Sequence, residues 1–197
     1  MEQALVEVPL DVPEPPAEVV PPTADAAPAA APVFPTFPAL LQGIAGYVAL
    51  GVATLVSAEG LTDPLALAAS ALVAAGGTVA MTTPTLLVAH QYAALSARPA
   101  AVLAVVLSSL ARTGGLALWL SPVLLFFAAS SGVWAVIFWV AMLWLGLVGL
   151  SCAALGVVAL EDEQWATGRL LALGWSGLSC AVGIHLTLTM FRMAMEG

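Results

Sequence analysis

The chain has 197 residues, of which 61% are hydrophobic and only 8% charged, and its mean hydropathy is +1.05. Soluble domains carry roughly one-quarter charged residues, so this composition excludes a free water-soluble globule and predicts an all-α integral membrane protein. The net charge is −8, with four arginines and no lysine, which excludes the basic surface that nucleic-acid binding needs. Lysine and asparagine are absent while alanine, glycine, valine and proline are abundant, which suggests a GC-rich and bacterial gene.

The first 38 residues differ in composition from the rest of the chain. They hold ten of the 14 prolines and six acidic residues without one basic residue. Such a segment has few large apolar side chains to bury, so we predict a disordered, acidic Pro/Ala-rich tail over residues 1–38 and a transmembrane helical domain over 39–197. Within the tail, apolar residues alternate with other residues at Val6, Val8, Leu10 and Val12. This pattern suits a segment that adds a strand to the sheet edge of a partner protein. A solvated spacer that binds nothing is the alternative.

Five long apolar runs follow the tail. A helix needs about 20 apolar residues to cross a bilayer. The runs predict transmembrane spans at about 40–58, 65–89, 100–129, 133–160 and 170–191. The third run is long for one helix and contains Gly114, Gly115 and Pro122, so four or six spans are the alternatives to five.

The arginines near the span ends predict the orientation of the chain. If the spans alternate, Arg98 and Arg169 lie in loops on one side of the membrane, and basic residues favour the cytoplasmic side. We therefore expect a multi-pass protein of the bacterial inner membrane with its N-terminus in the cytoplasm. Arg192 falls on the opposite side in this scheme.

Small residues recur at helix spacing in the last two spans. Such residues let helix backbones approach closely in lipid, where hydrophobic driving force between helices is missing. The predicted packing residues are Gly149, Cys152 and Gly156 in the fourth span and Gly174, Gly177 and Ala181 in the fifth. They indicate close packing, either within the chain or against a partner.

Arg112 is a charged residue inside the third span, where it costs at least about 2.5–3.5 kcal/mol at the bilayer centre. One interpretation makes it the contact of an anion, of a lipid phosphate or of a carboxylate on another subunit. The other places it at a break between two shorter helices. His185 lies at a similar depth in the fifth span, so it either shares a polar pocket with Arg112 or is a hydrogen-bonded packing residue.

Pro84 interrupts the second apolar run beside Thr82, Thr83 and Thr85. A helix broken by proline can line a solute path, and these hydroxyl groups would add polar contacts to it. The alternative, which we favour, is that Pro84 marks the end of the span.

The acidic residues all lie outside the predicted spans. Proton- and sodium-coupled carriers generally use carboxylates within the membrane, so coupled transport by this chain alone is disfavoured. The triplet Glu161-Asp162-Glu163 follows the fourth span, and we interpret it as a solvated acidic face, with recruitment of a basic partner as the alternative.

The sequence contains no catalytic motif or nucleotide-binding loop, and its two His and two Cys are scattered, so we expect no enzyme activity, cofactor or metal. The leading hypothesis is a non-enzymatic subunit or anchor of a larger membrane complex, with the tail as tether or docking arm. It would contact membrane lipid and protein partners, in the membrane or at the cytoplasmic face. The alternative is a small channel or carrier for an anion or polar solute that uses Arg112 and His185.

Overall fold

The computed structural model describes residues 33–57, 64–161 and 164–196. Its helices are α1 (Phe37–Ala53), which a 3₁₀ turn continues at Thr54–Ser57, α2 (Pro64–Tyr92), α3 (Pro99–Ser130), α4 (Trp134–Val158) and α5 (Trp165–Glu196). The described part contains five helices that are long and apolar enough to cross a membrane, which confirms the predicted all-helical class and fits a multi-pass membrane protein. The alternating motif at Val6, Val8, Leu10 and Val12 lies outside the described residues.

Glycine and proline inside the apolar runs do not end the helices. α3 continues through Gly114, Gly115 and Pro122, so the alternative in which the third run splits is wrong. α2 continues for eight residues beyond Pro84, so the interpretation that Pro84 ends the helix is also wrong. Proline removes one backbone hydrogen bond from a helix. The helix continues because its packing against neighbouring helices preserves the remaining hydrogen bonds. α2 packs on α5, on α1 and, less extensively, on α3.

The five helices form a closed ring in which each helix packs on two neighbours. The order around the ring is α1, α3, α4, α5, α2 and back to α1, and α2 also touches α3 across it. Buried apolar side chains fill one half around Leu50, Leu124, Phe138 and Leu145, and the other half around Leu86, Val102, Val106, Val157 and Trp175. This arrangement places the loops α2–α3 and α4–α5 at the same end of the bundle.

The helices α1 and α3 run parallel and touch through their backbones. A Cβ atom added at Gly46 would lie 1.8 Å from the carbonyl oxygen of Gly114, and one added at Gly114 would lie 2.2 Å from that of Gly43. Only glycine permits so close an approach. Gly114 therefore serves the packing of α1 on α3, which explains its presence inside a continuous helix.

The α2 helix ends in a Schellman motif with alanine where glycine is usual. The N–H of Leu95 donates a hydrogen bond to the carbonyl oxygen of His90 (3.4 Å), and the N–H of Ala94 donates one to that of Gln91 (3.0 Å). The φ angle of Ala94 is 50°. This left-handed conformation is unfavourable for a residue that carries a Cβ atom.

Replacing Ala94 with glycine is expected to raise the free energy of unfolding by about 1 kcal/mol, because glycine adopts the left-handed conformation without strain. Thermal unfolding in mild detergent, followed by circular dichroism, measures the change. Ala89→Gly inside α2 is the control and is expected to lower stability by a similar amount. An Ala94→Gly variant that is less stable than the wild type would contradict the prediction.

Candidate functional site

Glu161 is buried at the end of the bundle that carries the α2–α3 and α4–α5 loops. Its Oε1 atom accepts hydrogen bonds from His90 Nε2 (2.8 Å) and the Ala97 N–H (3.0 Å), and its Oε2 atom accepts them from the N–H (2.9 Å) and Oγ (2.8 Å) of Ser96. His90 and Glu161 are each 1% exposed. A carboxylate only accepts hydrogen bonds, so His90 carries a proton on Nε2. These four residues, the Glu161 cluster, join the end of α2 to the start of α3 and the end of α4.

The Glu161 cluster stabilises the carboxylate as an anion. Burial raises the pKa of Glu161, but the hydrogen bonds from Ala97, Ser96 and His90 outweigh burial and hold this pKa below its ordinary value of 4.5. Ser96 and Ala97 lie three and two residues before the first residue of α3, Pro99, and the amino-terminal dipole of this helix also favours a negative charge nearby. The carboxylate side chain has 0% exposure, so it anchors the loops and does not face a substrate.

The structure corrects the interpretation of the acidic triplet as a solvated face for its first member, Glu161. Asp162 and Glu163 lie outside the described residues. One feature of the sequence indicates the cluster. His90 and Glu161 each follow an apolar run, and alternating spans place both loops on the same side of the membrane. Sequence reasoning missed the pair because an acidic loop beside water usually stays solvated.

An apolar cavity of about 420 Å³ lies inside the ring and is lined by α2, α3, α4 and α5 and by Tyr47 of α1. Along α4 its wall runs from Trp139 to Ala153, which is about 21 Å at 1.5 Å per residue, and along α2 it runs from Ala74 to Thr82, which is about 12 Å. The wall residues that are themselves exposed belong to α4 and α5: Val140, Leu143, Gly146, Leu147 and Ile184. The cavity is therefore elongated along the helices and opens sideways between α4 and α5.

Seven hydroxyl groups line the cavity, and each donates its hydrogen bond to another protein atom. Three of these bonds join different helices: Tyr47 to Thr113 Oγ1 (2.7 Å), Ser109 to the Gly149 carbonyl (2.6 Å) and Ser179 to Thr82 Oγ1 (3.0 Å). The other hydroxyl groups bond carbonyls of their own helix: Thr78, Thr82, Thr113 and Thr187. Among the described residues that form the wall, none is charged. The cavity therefore presents an apolar surface to any ligand.

The three threonines beside Pro84 have different surroundings. Thr82 is buried and lines the cavity, and its carbonyl oxygen accepts a hydrogen bond from Trp175 Nε1 (3.2 Å). The hydroxyl group of Thr83 is buried and has no hydrogen-bond partner in the part of the chain that the structure describes. Thr85 is exposed. The structure thus brings one of the three residues to the cavity.

Arg112 and His185 both lie on the outside of the ring, with exposed side chains. Arg112 is about 4 Å from the midpoint of α3 by helical rise, and it makes no ion pair with any described residue. His185 belongs to α5, which is not a ring neighbour of α3. Neither residue lines the cavity. The structure does not bring the two together, and a solute path through them stays a prediction.

Arg112 begins an exposed stripe along one face of α3. The Arg112 stripe consists of Arg112, Leu116, Trp119, Val123 and Phe126. Successive spacings of four and three residues place these side chains on the same side of the helix. Trp119 is 79% and Phe126 is 65% exposed. Apolar side chains are expected wherever a helix faces lipid, whereas an arginine at this depth is not.

The small residues of the last two spans fall into two groups. Gly149 and Gly156 pack against α3, because added Cβ atoms would lie 3.2 Å from Thr113 Cγ2 and 2.5 Å from Val105 Cγ1. Four others are exposed on the outside of α4 and α5: Cys152, Gly174, Gly177 and Ala181. Cβ atoms added at Gly174 and Gly177 would meet nothing within 4 Å.

No group of three or more His, Cys, Asp or Glu within the described ranges is placed to hold a metal ion. No protein-family model matches the chain, and neither a curated protein nor a solved structure is detectably similar to it. Inferences about its function therefore rest on its own geometry.

Proposed function

We propose that this chain is a non-enzymatic membrane subunit or anchor that binds a second membrane protein through the Arg112 stripe. The observation that carries the proposal is that Arg112, close to the middle of α3, is exposed on the outside of the ring. An unpaired arginine is unfavourable in hydrocarbon, and intramembrane charges characteristically pair with one another. The partner therefore supplies an Asp or Glu within one of its own transmembrane helices.

The partner of the Arg112 stripe differs from this chain. No Asp or Glu occurs between residues 64 and 160 or between residues 164 and 195. A second copy consequently has no carboxylate at the depth of Arg112. The four and three spacing of the stripe suits a helix that packs lengthwise on α3, with Trp119 and Phe126 supplying contact area.

The orientation that we infer places the end of the bundle that holds the Glu161 cluster in the cytoplasm. Arg98 precedes α3 and Arg169 lies in the first turns of α5, so both are at this end, and basic residues favour the cytoplasmic side. α1 runs parallel to α3 and thus also begins in the cytoplasm. We place the protein in a bacterial inner membrane, where the residues that precede α1 act as a cytoplasmic tether or docking arm.

Crosslinking of the full-length chain in its native membranes tests this proposal. A photoreactive phenylalanine analogue replaces Trp119 in the stripe or, as the control, Leu178 on the outside of α5, which is 43% exposed. One protein adduct is expected from position 119 and none from position 178. Arg112→Gln is expected to lower the adduct yield by about tenfold or more, because it removes one member of a buried charge pair, whereas Arg112→Lys retains most of it.

The adduct from position 119 also has to contain the expected carboxylate. The sequence of the crosslinked partner must include an Asp or Glu inside an apolar segment. Arg112→Glu in this chain, combined with an arginine in place of that Asp or Glu in the partner, must restore the adduct yield. An adduct that is unaffected by Arg112→Gln would overturn the proposal, as would crosslinking to a second copy of this chain.

A further inference from the structure

The central cavity is separate from the Arg112 stripe. We infer that it binds one acyl chain of a phospholipid from the surrounding bilayer. The ligand enters sideways through the opening between α4 and α5, which faces the hydrocarbon of the membrane.

The chemistry of the wall selects an uncharged, apolar ligand. The lining hydroxyl groups donate to protein oxygens, and no lining side chain is charged, so a bound anion or cation would have no counter-charge. A buried water needs 2–4 polar partners. Water therefore fills this cavity poorly, and hydrocarbon is favoured.

The shape of the cavity selects a chain over a compact molecule. Its 420 Å³ fall within the roughly 300–1,000 Å³ of ligand-binding pockets. Its walls extend about 10–21 Å along the helices by helical rise, in the direction in which lipid chains lie.

The position of the cavity assigns the chain to a bilayer phospholipid. The wall ends at Trp139 on α4, five residues after the helix begins, and at Ala153, five residues before it ends. A polar headgroup finds no partner at this depth and stays at the membrane surface. The ligand therefore needs an apolar chain inside the cavity and a polar headgroup at the membrane surface. A phospholipid has both, because one of its chains can enter the cavity while its headgroup remains at the surface.

Gly146 provides a substitution that fills the cavity without disturbing the bundle. It lines the cavity, and a Cβ atom added there would meet nothing within 4 Å. Gly177 on α5 is the matched control, because it is equally open but does not line the cavity. Both positions are exposed and helical, so Gly146→Leu and Gly177→Leu differ chiefly in whether the new side chain occupies the cavity.

Tryptophan fluorescence in vesicles detects the bound chain. Trp175 lines the cavity yet is only 5% exposed, and a full-length variant that keeps this tryptophan alone, with Phe at the other five, reports on it. The vesicles consist of phosphatidylcholine with brominated acyl chains, and bromine quenches indole fluorescence on contact. Trp175 is expected to lose most of its fluorescence relative to vesicles of unbrominated lipid. Gly146→Leu is expected to restore the fluorescence, and Gly177→Leu is expected to leave the quenching unchanged.

Native mass spectrometry gives a second measurement that keeps all six tryptophans. The wild type and Gly177→Leu are expected to retain one phospholipid in mild detergent, and Gly146→Leu none. Equal retention or equal quenching in the two leucine variants would overturn the inference.

Discussion

Replacing Glu161 with alanine is expected to lower the free energy of unfolding by about 3–5 kcal/mol, because a hydrogen bond to a charged group contributes about 1.5–3 kcal/mol and several such bonds are lost together. The substitution leaves the Nε2–H of His90 and the backbone N–H groups of Ser96 and Ala97 without their acceptor. Unpaired polar groups that are shielded from water are strongly unfavourable. Equilibrium unfolding in mixed micelles, followed by circular dichroism, measures the loss.

Two further variants separate the contributions of Glu161. Gln164→Ala changes an exposed side chain in the same loop and is expected to leave stability nearly unchanged. Glu161→Gln keeps one acceptor oxygen but removes the charge, so its loss is expected to fall between those of the other two variants. If Glu161→Ala were as stable as Gln164→Ala, the Glu161 cluster would not hold the loops together.

The charge of Glu161 also makes stability depend on pH. Its pKa in the folded protein lies below its ordinary value of 4.5, so the folded state binds this proton less readily than the unfolded state. The contribution is complete above pH 4.5 and is lost as the pH falls through the folded pKa. The unfolding free energy of the wild type should therefore fall more steeply with acid than that of Glu161→Gln. Parallel curves would show that the carboxylate is not stabilised by folding.

The sequence predicts the number and course of the helices because bilayer thickness imposes a length on each apolar run. Arg98 and Glu161 lie at the same end of the bundle, as alternating spans require. The continuity of α3 through Gly114 and Gly115 was harder to predict. A pair of glycines in a sequence suggests that a helix is interrupted. Only the position of α1 shows that Gly114 allows the backbone of α1 to approach α3 closely.

The surroundings of individual residues follow less well from the sequence of a membrane protein. In water, polar residues mark the outside of a helix, but a lipid-facing surface and a helix interface are both apolar. The periodicity of apolar residues therefore does not predict that Arg112 and His185 lie on the outside of the ring. The hydrogen bonds of Glu161 depend on the path of the α2–α3 loop, which apolar runs do not define.

Gly114→Ala is expected to lower the free energy of unfolding by about 1–3 kcal/mol or more, because the added methyl group overpacks the contact between α1 and α3. It would lie 2.2 Å from the carbonyl oxygen of Gly43, and a backbone atom cannot move aside as a flexible side chain does. The neighbouring residue offers a matched control. A Cβ atom added at Gly115 would meet nothing within 4 Å, so Gly115→Ala is expected to be neutral or to stabilise α3 by up to about 1 kcal/mol.

The opposite signs expected at these two adjacent positions distinguish packing from helix propensity. If the glycine pair simply weakened α3, alanine at either position would stabilise the helix by a similar amount. If Gly114 is present because α1 approaches it, only Gly115 tolerates alanine, and unfolding in mixed micelles ranks the variants as Gly115→Ala, wild type and Gly114→Ala. Gly46→Ala provides an independent check from the other helix, because its methyl group would lie 1.8 Å from the carbonyl oxygen of Gly114. A stable Gly46→Ala variant would show that α1 does not pack on α3 in this way.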